Sequence, residues 1–245
     1  MYLWNLKPAR DISESPRQRI KSLNRERGVV LGVISMMIWY LVGLYMKIWH
    51  RLEIEGRENL PADGPFVLVS NHSSHLDTPA LGLALPLRLR HFFTLAAEDH
   101  FFRKIGSSFF VVLTVNALPM PRDGKGKGRE TIAFLRGRIL ADQIGLILYP
   151  EGTRTRTGDM ARFRCGIGAL VAGTQVPVVP CYIDGAFKAL SASSKVPKPS
   201  KIRVRIGKSM KFENAVADTD GCSNVSKSLE LAVRNLQPVR KVHFT

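Results

Sequence analysis

Phe66-Val67-Leu68-Val69-Ser70-Asn71-His72-Ser73-Ser74-His75-Leu76-Asp77 is an apolar run that passes directly into a polar segment bearing imidazoles and a carboxylate. The run reads as a buried strand over Pro65–Ser70. Thr78–Leu85, which follows, reads as a helix closed by Pro86. A strand–loop–helix unit of this kind belongs to an α/β sheet. Its loop falls at the carboxyl end of the strand, where such sheets collect functional groups. There, His72 can accept a hydroxyl proton at neutral pH. Asp77, five positions on, can hold the other ring nitrogen and fix the tautomer. His75 competes for the same role.

Working outward, the pattern repeats. Leu52–Gly56, Arg90–Ala96, Val111–Leu118, Gly145–Tyr149, Val176–Ile183 and Lys201–Gly207 read as further strands. Arg129–Ala141 reads as a helix with Ile132, Leu135, Ile139 and Leu140 on one face. Gly166–Gly173 reads as a short helix of small residues. Val225–Leu236 reads as a closing helix with Leu229, Val233 and Leu236 inward. Loops are expected at Arg122–Gly128, Ser191–Ser200 and Ala215–Asn224. The expected fold class is α/β, a central and mostly parallel sheet flanked by helices, with residues 51–245 as the catalytic domain.

Residues 1–50 form a basic segment and a helical anchor. Val29–Met46 carries no charge over eighteen residues. As a helix it would reach roughly 27 Å, the lower limit for crossing a bilayer core. Trp39, Tyr40, Tyr45 and Trp49 gather toward its end, which suits a headgroup interface. The basic flank Arg17–Arg27 would place the N-terminus in the cytosol, so a single span would put residues 50–245 outside. The cysteines oppose that. Cys165, Cys181 and Cys222 are odd in number, widely spaced and without C-x-x-C, which suits a reducing compartment and excludes a disulfide framework. Each reads as a small buried apolar residue. A re-entrant or in-plane helix removes the conflict. The expectation is a membrane-associated protein with its catalytic domain on the cytoplasmic face.

The net charge of +16 draws the chain to polyanions: anionic lipid, phosphorylated ligands or nucleic acid. Nucleic acid is disfavoured, because no recognition motif appears and the basic residues are not interleaved with aromatics.

Tyr149-Pro150-Glu151-Gly152-Thr153-Arg154 leaves a second buried strand. Glu151, Thr153 and Arg154 are placed to enter the crevice, with Arg156, Arg162 and Arg164 close behind. A planar guanidinium matches two phosphate oxygens. Pro119-Met120-Pro121-Arg122-Asp123 offers Arg122 as a second clamp. The Gly124–Gly128 stretch after it lacks the spacing of a phosphate-binding P-loop. In Val176-Pro177-Val178-Val179-Pro180 the prolines suggest an edge or a strand start. There is no G-x-S-x-G and no Cys with a local His, so the base acts directly on a substrate hydroxyl or on water. One His and one Asp are too few for a metal site.

Four blocks thus stand in one order: N-H-S-S-H-L-D, a strand leading to Arg122, P-E-G-T-R and V-P-V-V-P. This set resembles the glycerolipid acyltransferase family, the group containing 1-acylglycerol-3-phosphate acyltransferase, over roughly residues 50–210. The resemblance implies that His72 deprotonates the free hydroxyl of a lysophospholipid, most simply 1-acyl-sn-glycerol-3-phosphate, with Asp77 orienting it. The oxygen then attacks the thioester of acyl-CoA or acyl-carrier protein, a co-substrate rather than a cofactor, and no acyl-enzyme forms. Arg122, Glu151, Gly152, Thr153 and Arg154 would seat the acceptor, and the N-terminal helix would lie in the membrane. Two alternatives stay open. One is transfer to another lysophospholipid or an amino-acid lipid, or phospholipid remodelling. The other is a non-catalytic protein that binds anionic lipid.

Overall fold

A computed structural model describes residues 29–62, 64–85, 92–97, 117–120, 127–142, 145–194 and 196–238. Its strands are β1 (Glu53–Glu55), β2 (Val67–Ser70), β3 (Phe92–Ala97), β4 (Ala117–Met120), β5 (Gly145–Leu148), β6 (Val178–Asp184) and β7 (Arg203–Ile206). Its helices are α1 (Val29–Ile48), α2 (Asp77–Ala84), α3 (Lys127–Asp142), α4 (Gly166–Val171), α5 (Ala186–Ala189) and α6 (Thr219–Asn235). The strands form one sheet in the order β1-β7-β6-β2-β5-β3-β4. Neighbours are parallel except β6 and β7, which are antiparallel.

Alternation within the strands builds two cores. Val67, Val69, Leu146 and Leu148 face the layer of α3, α4 and α6. Phe66, Leu68 and Ile147 face the layer that holds α2, α5 and the end of α1. The central strands β2 and β5 are buried at every position, as covering both faces of a parallel sheet requires. Edge strand β1 instead exposes Glu53 and Glu55, which pair with Lys201, Arg203 and Arg205 along β7. Charge of this kind keeps an open edge from recruiting another strand.

Several expectations change. The V-P-V-V-P block is not an edge but a strand start: β6 begins at Val178, directly after Pro177, and lies inside the sheet. Its Pro180 is tolerated because a residue's nitrogen and carbonyl face the same neighbour. The Pro180 carbonyl accepts from the Gly207 N–H at 2.8 Å, just past the end of β7, so the missing N–H falls on that side and the β2–β6 ladder loses no bond. The closing helix begins at Thr219, not Val225, because the Asp218 side chain caps it by accepting from the Gly221 N–H. Leu140 is 54% exposed and leaves the α3 face, whereas Leu135 and Ile139 are buried. Of the cysteines, Cys181 and Cys222 are buried and Cys165 is exposed. All three are free thiols. The expected apolar run is helical over Val29–Ile48, and among the described residues no helix is long and apolar enough to cross a membrane.

Candidate functional site

β2 and β5 are parallel neighbours, so the two loops that leave them, Asn71–Asp77 and Tyr149–Arg154, open at the same sheet edge. That adjacency brings the first and third sequence blocks together. Asn71 holds the first loop where the β2–β6 ladder ends. Its Oδ1 accepts from the Ile183 N–H at 2.8 Å, and its Nδ2 donates to the Ile183 carbonyl at 3.0 Å.

Asp77 opens α2 and is fully buried. Its Oδ2 lies 2.9 Å from His72 Nδ1 and accepts the N–H groups of Ser73 (2.6 Å) and Ser74 (2.7 Å). Three donors compensate Oδ2 for its removal from water, whereas Oδ1 is buried without a partner among the described residues. The helix N-terminus adds a favourable dipole. With Nδ1 engaged, Nε2 is the ring atom left for a substrate. The His72 side chain is 21% exposed, enough to be reached. His75 is exposed and Asp77 is bound to His72, which resolves the competition between the two imidazoles.

Glu151 joins the two loops. One carboxylate oxygen accepts the His72 N–H at 2.7 Å, and the other accepts the Ala161 N–H at 2.8 Å. The carboxylate is thus committed to the protein's own backbone. Burial raises its pKa above the ordinary carboxylate value, opposed by those two hydrogen bonds. The Thr155 N–H donates to the His72 carbonyl at 2.9 Å, a second strap between the loops. Gly152 has a φ of 76°, and a Cβ there would lie 2.8 Å from Arg164 Nε. Glycine therefore lets the Arg164 guanidinium cross the turn. Thr153 is exposed and Arg154 half-buried on the same loop. Arg156, Arg162 and Arg164 are exposed on the segment that follows, and among the described residues no carboxylate pairs with them. Arg122 lies outside the described residues. β4, which precedes it, ends at Met120 and runs parallel to β3.

Sequence reasoning assigned no role to Tyr149. Its ring stacks on the His72 imidazole, with centroids 4.0 Å apart and planes 13° from parallel. The signal was present as an aromatic residue at the carboxyl end of a strand, but only the neighbouring strand showed what it would meet. Among the described residues no hydroxyl or thiol shares a hydrogen bond with the His72 ring. Ser74 Oγ is spent on the Leu190 carbonyl at 2.7 Å, and burial drives the Cys181 thiol far up.

Comparison with known proteins bears on the family and the fold. The acyltransferase family profile matches residues 51–184. The 1-acyl-sn-glycerol-3-phosphate acyltransferase alpha of Ovis aries is 27% identical over 165 residues, covering 67% of this chain and 54% of that protein. The chloroplastic 1-acyl-sn-glycerol-3-phosphate acyltransferase LPAT1 of Arabidopsis thaliana is 27% identical over 204 residues, covering 79% of this chain and 53% of that one. The chain thus spans about half the length of these curated relatives. The crystal structure of the 1-acyl-sn-glycerophosphate (LPA) acyltransferase PlsC from Thermotoga maritima shares the fold. Its TM-score is 0.62 at 22% identity, covering 87% of this chain and 84% of that chain. The profile match, with a hydrogen-bonded His–Asp pair strapped to the P-E-G-T-R loop inside the matched residues, places the chain in the glycerolipid acyltransferase family.

Proposed function

We propose that this protein transfers a fatty acyl chain from a thioester donor to the free hydroxyl of a lysophospholipid, most simply 1-acyl-sn-glycerol-3-phosphate, giving phosphatidic acid. One observation carries the reading: His72 has an orienting carboxylate, no nucleophile beside it among the described residues, and a direct bond to an arginine-rich loop. A base so placed serves an incoming hydroxyl, and the guanidinium groups suit a phosphorylated acceptor. His72 Nε2 takes the acceptor's proton as its oxygen attacks the thioester carbonyl. The tetrahedral intermediate expels the thiolate, which recovers the proton from the imidazolium. Asp77 stabilises the imidazolium in between. Arg154 seats the acceptor phosphate together with Arg122. Gly152 and Thr153 shape the turn beneath it, and Glu151 holds that turn to His72.

The acceptor and the product are lipids, and α1 supports a membrane surface as their source. Ser35, Trp39, Val42 and Met46 lie on the face of α1 turned to the protein, Met46 fully buried. Met36, Met37, Tyr40, Leu41, Leu44 and Ile48 share the opposite face and are 44–72% exposed. An open apolar helix face of this size favours a helix lying in the membrane plane. The exposed free thiol of Cys165 fits a catalytic domain on the cytoplasmic side.

The test is transfer from labelled acyl-CoA and acyl-carrier protein to a panel of lysophospholipids on vesicles. Lysophosphatidate is expected to be the preferred acceptor. His72→Ala is expected to abolish turnover while the melting temperature stays near that of the wild type. A well-folded His72→Ala protein with near-normal transfer would sink the assignment.

A further inference from the structure

The geometry points to Tyr149 as the positioning residue that sets the plane of the His72 imidazole. The inference rests on the reading of His72 as the general base. Asp77 fixes the direction of Nδ1 through one hydrogen bond of 2.9 Å. A single hydrogen bond along a ring edge leaves the ring free to swing about that axis, and Nε2 would swing with it. The parallel face of Tyr149, 4.0 Å away, removes that freedom.

Tyr149 is itself held at both ends. Its backbone leaves the rigid end of β5, where its carbonyl accepts the Gly152 N–H at 2.9 Å. Its phenol oxygen lies 3.0 Å from Thr78 Oγ1. Thr78 is covalently next to Asp77 on the first turn of α2. The contacts therefore close a circuit, Asp77 to His72 to Tyr149 to Thr78 and back, and the ring is set from two directions by one helix start. Burial, then the nearby Asp77 charge, pushes the phenol well above its usual range. It therefore stays a neutral hydroxyl at neutral pH. An uncharged π face beside the imidazole also suits the cation that forms during the reaction.

The experiment compares Tyr149→Phe and Tyr149→Leu with the wild-type protein on vesicles containing lysophosphatidate. Phe keeps the stacked face and loses only the hydroxyl, so its kcat is expected within about threefold of wild type. Leu keeps bulk without the face, and its kcat is expected to fall on the order of tenfold or more with both KM values nearly unchanged, as misplacement of a reacting group does. A second readout needs no turnover. The Cε1–H resonance of His72 in micelles, identified by its loss in His72→Gln, is expected upfield in the wild type and in Tyr149→Phe, and downfield of that in Tyr149→Leu. A wild-type His72 resonance at its unstacked position overturns the inference. So does full kcat in a folded Tyr149→Leu protein, or equal losses in both variants. A chain inactive toward every acceptor would refute acyl transfer, while the resonance would still judge the stack.

Discussion

Among the described residues His72 makes its polar contacts to residues in or next to the two strand-end loops. Its N–H goes to Glu151, its carbonyl to Thr155 and its Nδ1 to Asp77. The backbone straps set where the residue sits, and the carboxylate sets which way the ring points. The two jobs can be separated by mutation. Asp77 takes all three of its donors on one oxygen, so an Asn side chain can present its own oxygen to the same donors. Asp77→Asn is therefore expected to keep the fold with a lowered melting temperature, because the amide NH2 would take the place of Oδ1, a buried atom without a partner. It removes the negative charge that offsets the developing imidazolium, and kcat is expected to fall by about 10² to 10⁴. Steady-state kinetics beside a thermal melt would check both halves.

At the scale of elements, helix contacts decide what the sheet can hold. α4 and α6 approach so closely that a Cβ on Gly168 would lie 1.9 Å from the Cys222 carbonyl oxygen. Because that neighbour is backbone, the helices must part to accept it. Gly168→Ala is expected to cost about 2 kcal/mol, read as a lowered midpoint in urea unfolding. On the other face, His50 follows α1 and clasps it to the approach to β7. Its Nδ1 lies 3.3 Å from the Ser200 carbonyl and its Nε2 3.0 Å from the Tyr45 hydroxyl. Burial lowers its pKa below the ordinary imidazole value, partly offset by the bond to Ser200. A depressed folded pKa means that the unfolded chain binds the proton more readily. The stabilising contribution is therefore complete above about pH 6.5 and fades as the pH falls through the lower folded value. A melt series from pH 8 to pH 5 should show this acid sensitivity in the wild type and a weaker slope in His50→Gln.

Across the whole molecule, the helix with the open apolar face is packed on the helix that opens with Asp77. A Cβ on Gly82 of α2 would lie 2.5 Å from the Trp39 ring, so glycine there lets α1 lie close. The packed face of α1 thus rests on the helix whose first residue is the His72 partner Asp77. The net charge of +16 adds long-range attraction to anionic lipid. Met37→Glu combined with Leu41→Glu places two carboxylates on the exposed face without touching the packed one. Vesicle flotation with anionic lipid is expected to lose most of the bound protein in this double variant, while its melting temperature stays within a few degrees of wild type. Equal flotation of variant and wild type would remove α1 from the binding surface.

Local chemistry carried much of this in the chain itself. Continuous apolar runs marked β2, β5 and β6, because strands covered on both faces need no polar alternation. The spacing of His72 and Asp77 foretold a hydrogen-bonded pair, because a short loop between a strand and a helix brings those positions together. The family followed from four blocks in a fixed order. Other features depend on residues far apart in sequence. The antiparallel β7, the early start of α6 and the exposure of Leu140 follow from which partner each element finds. Pro180 is accepted in a central strand only because β7 ends opposite it. Glu151 looked like a ligand for substrate, yet its oxygens meet N–H groups supplied by His72 and Ala161. Tyr149 was one aromatic among many until β2 placed His72 against its face. The order of residues determined which groups could do chemistry. The parallel pairing of β2 with β5 decided which of them meet, because a sheet edge joins loops that lie about eighty residues apart in the chain.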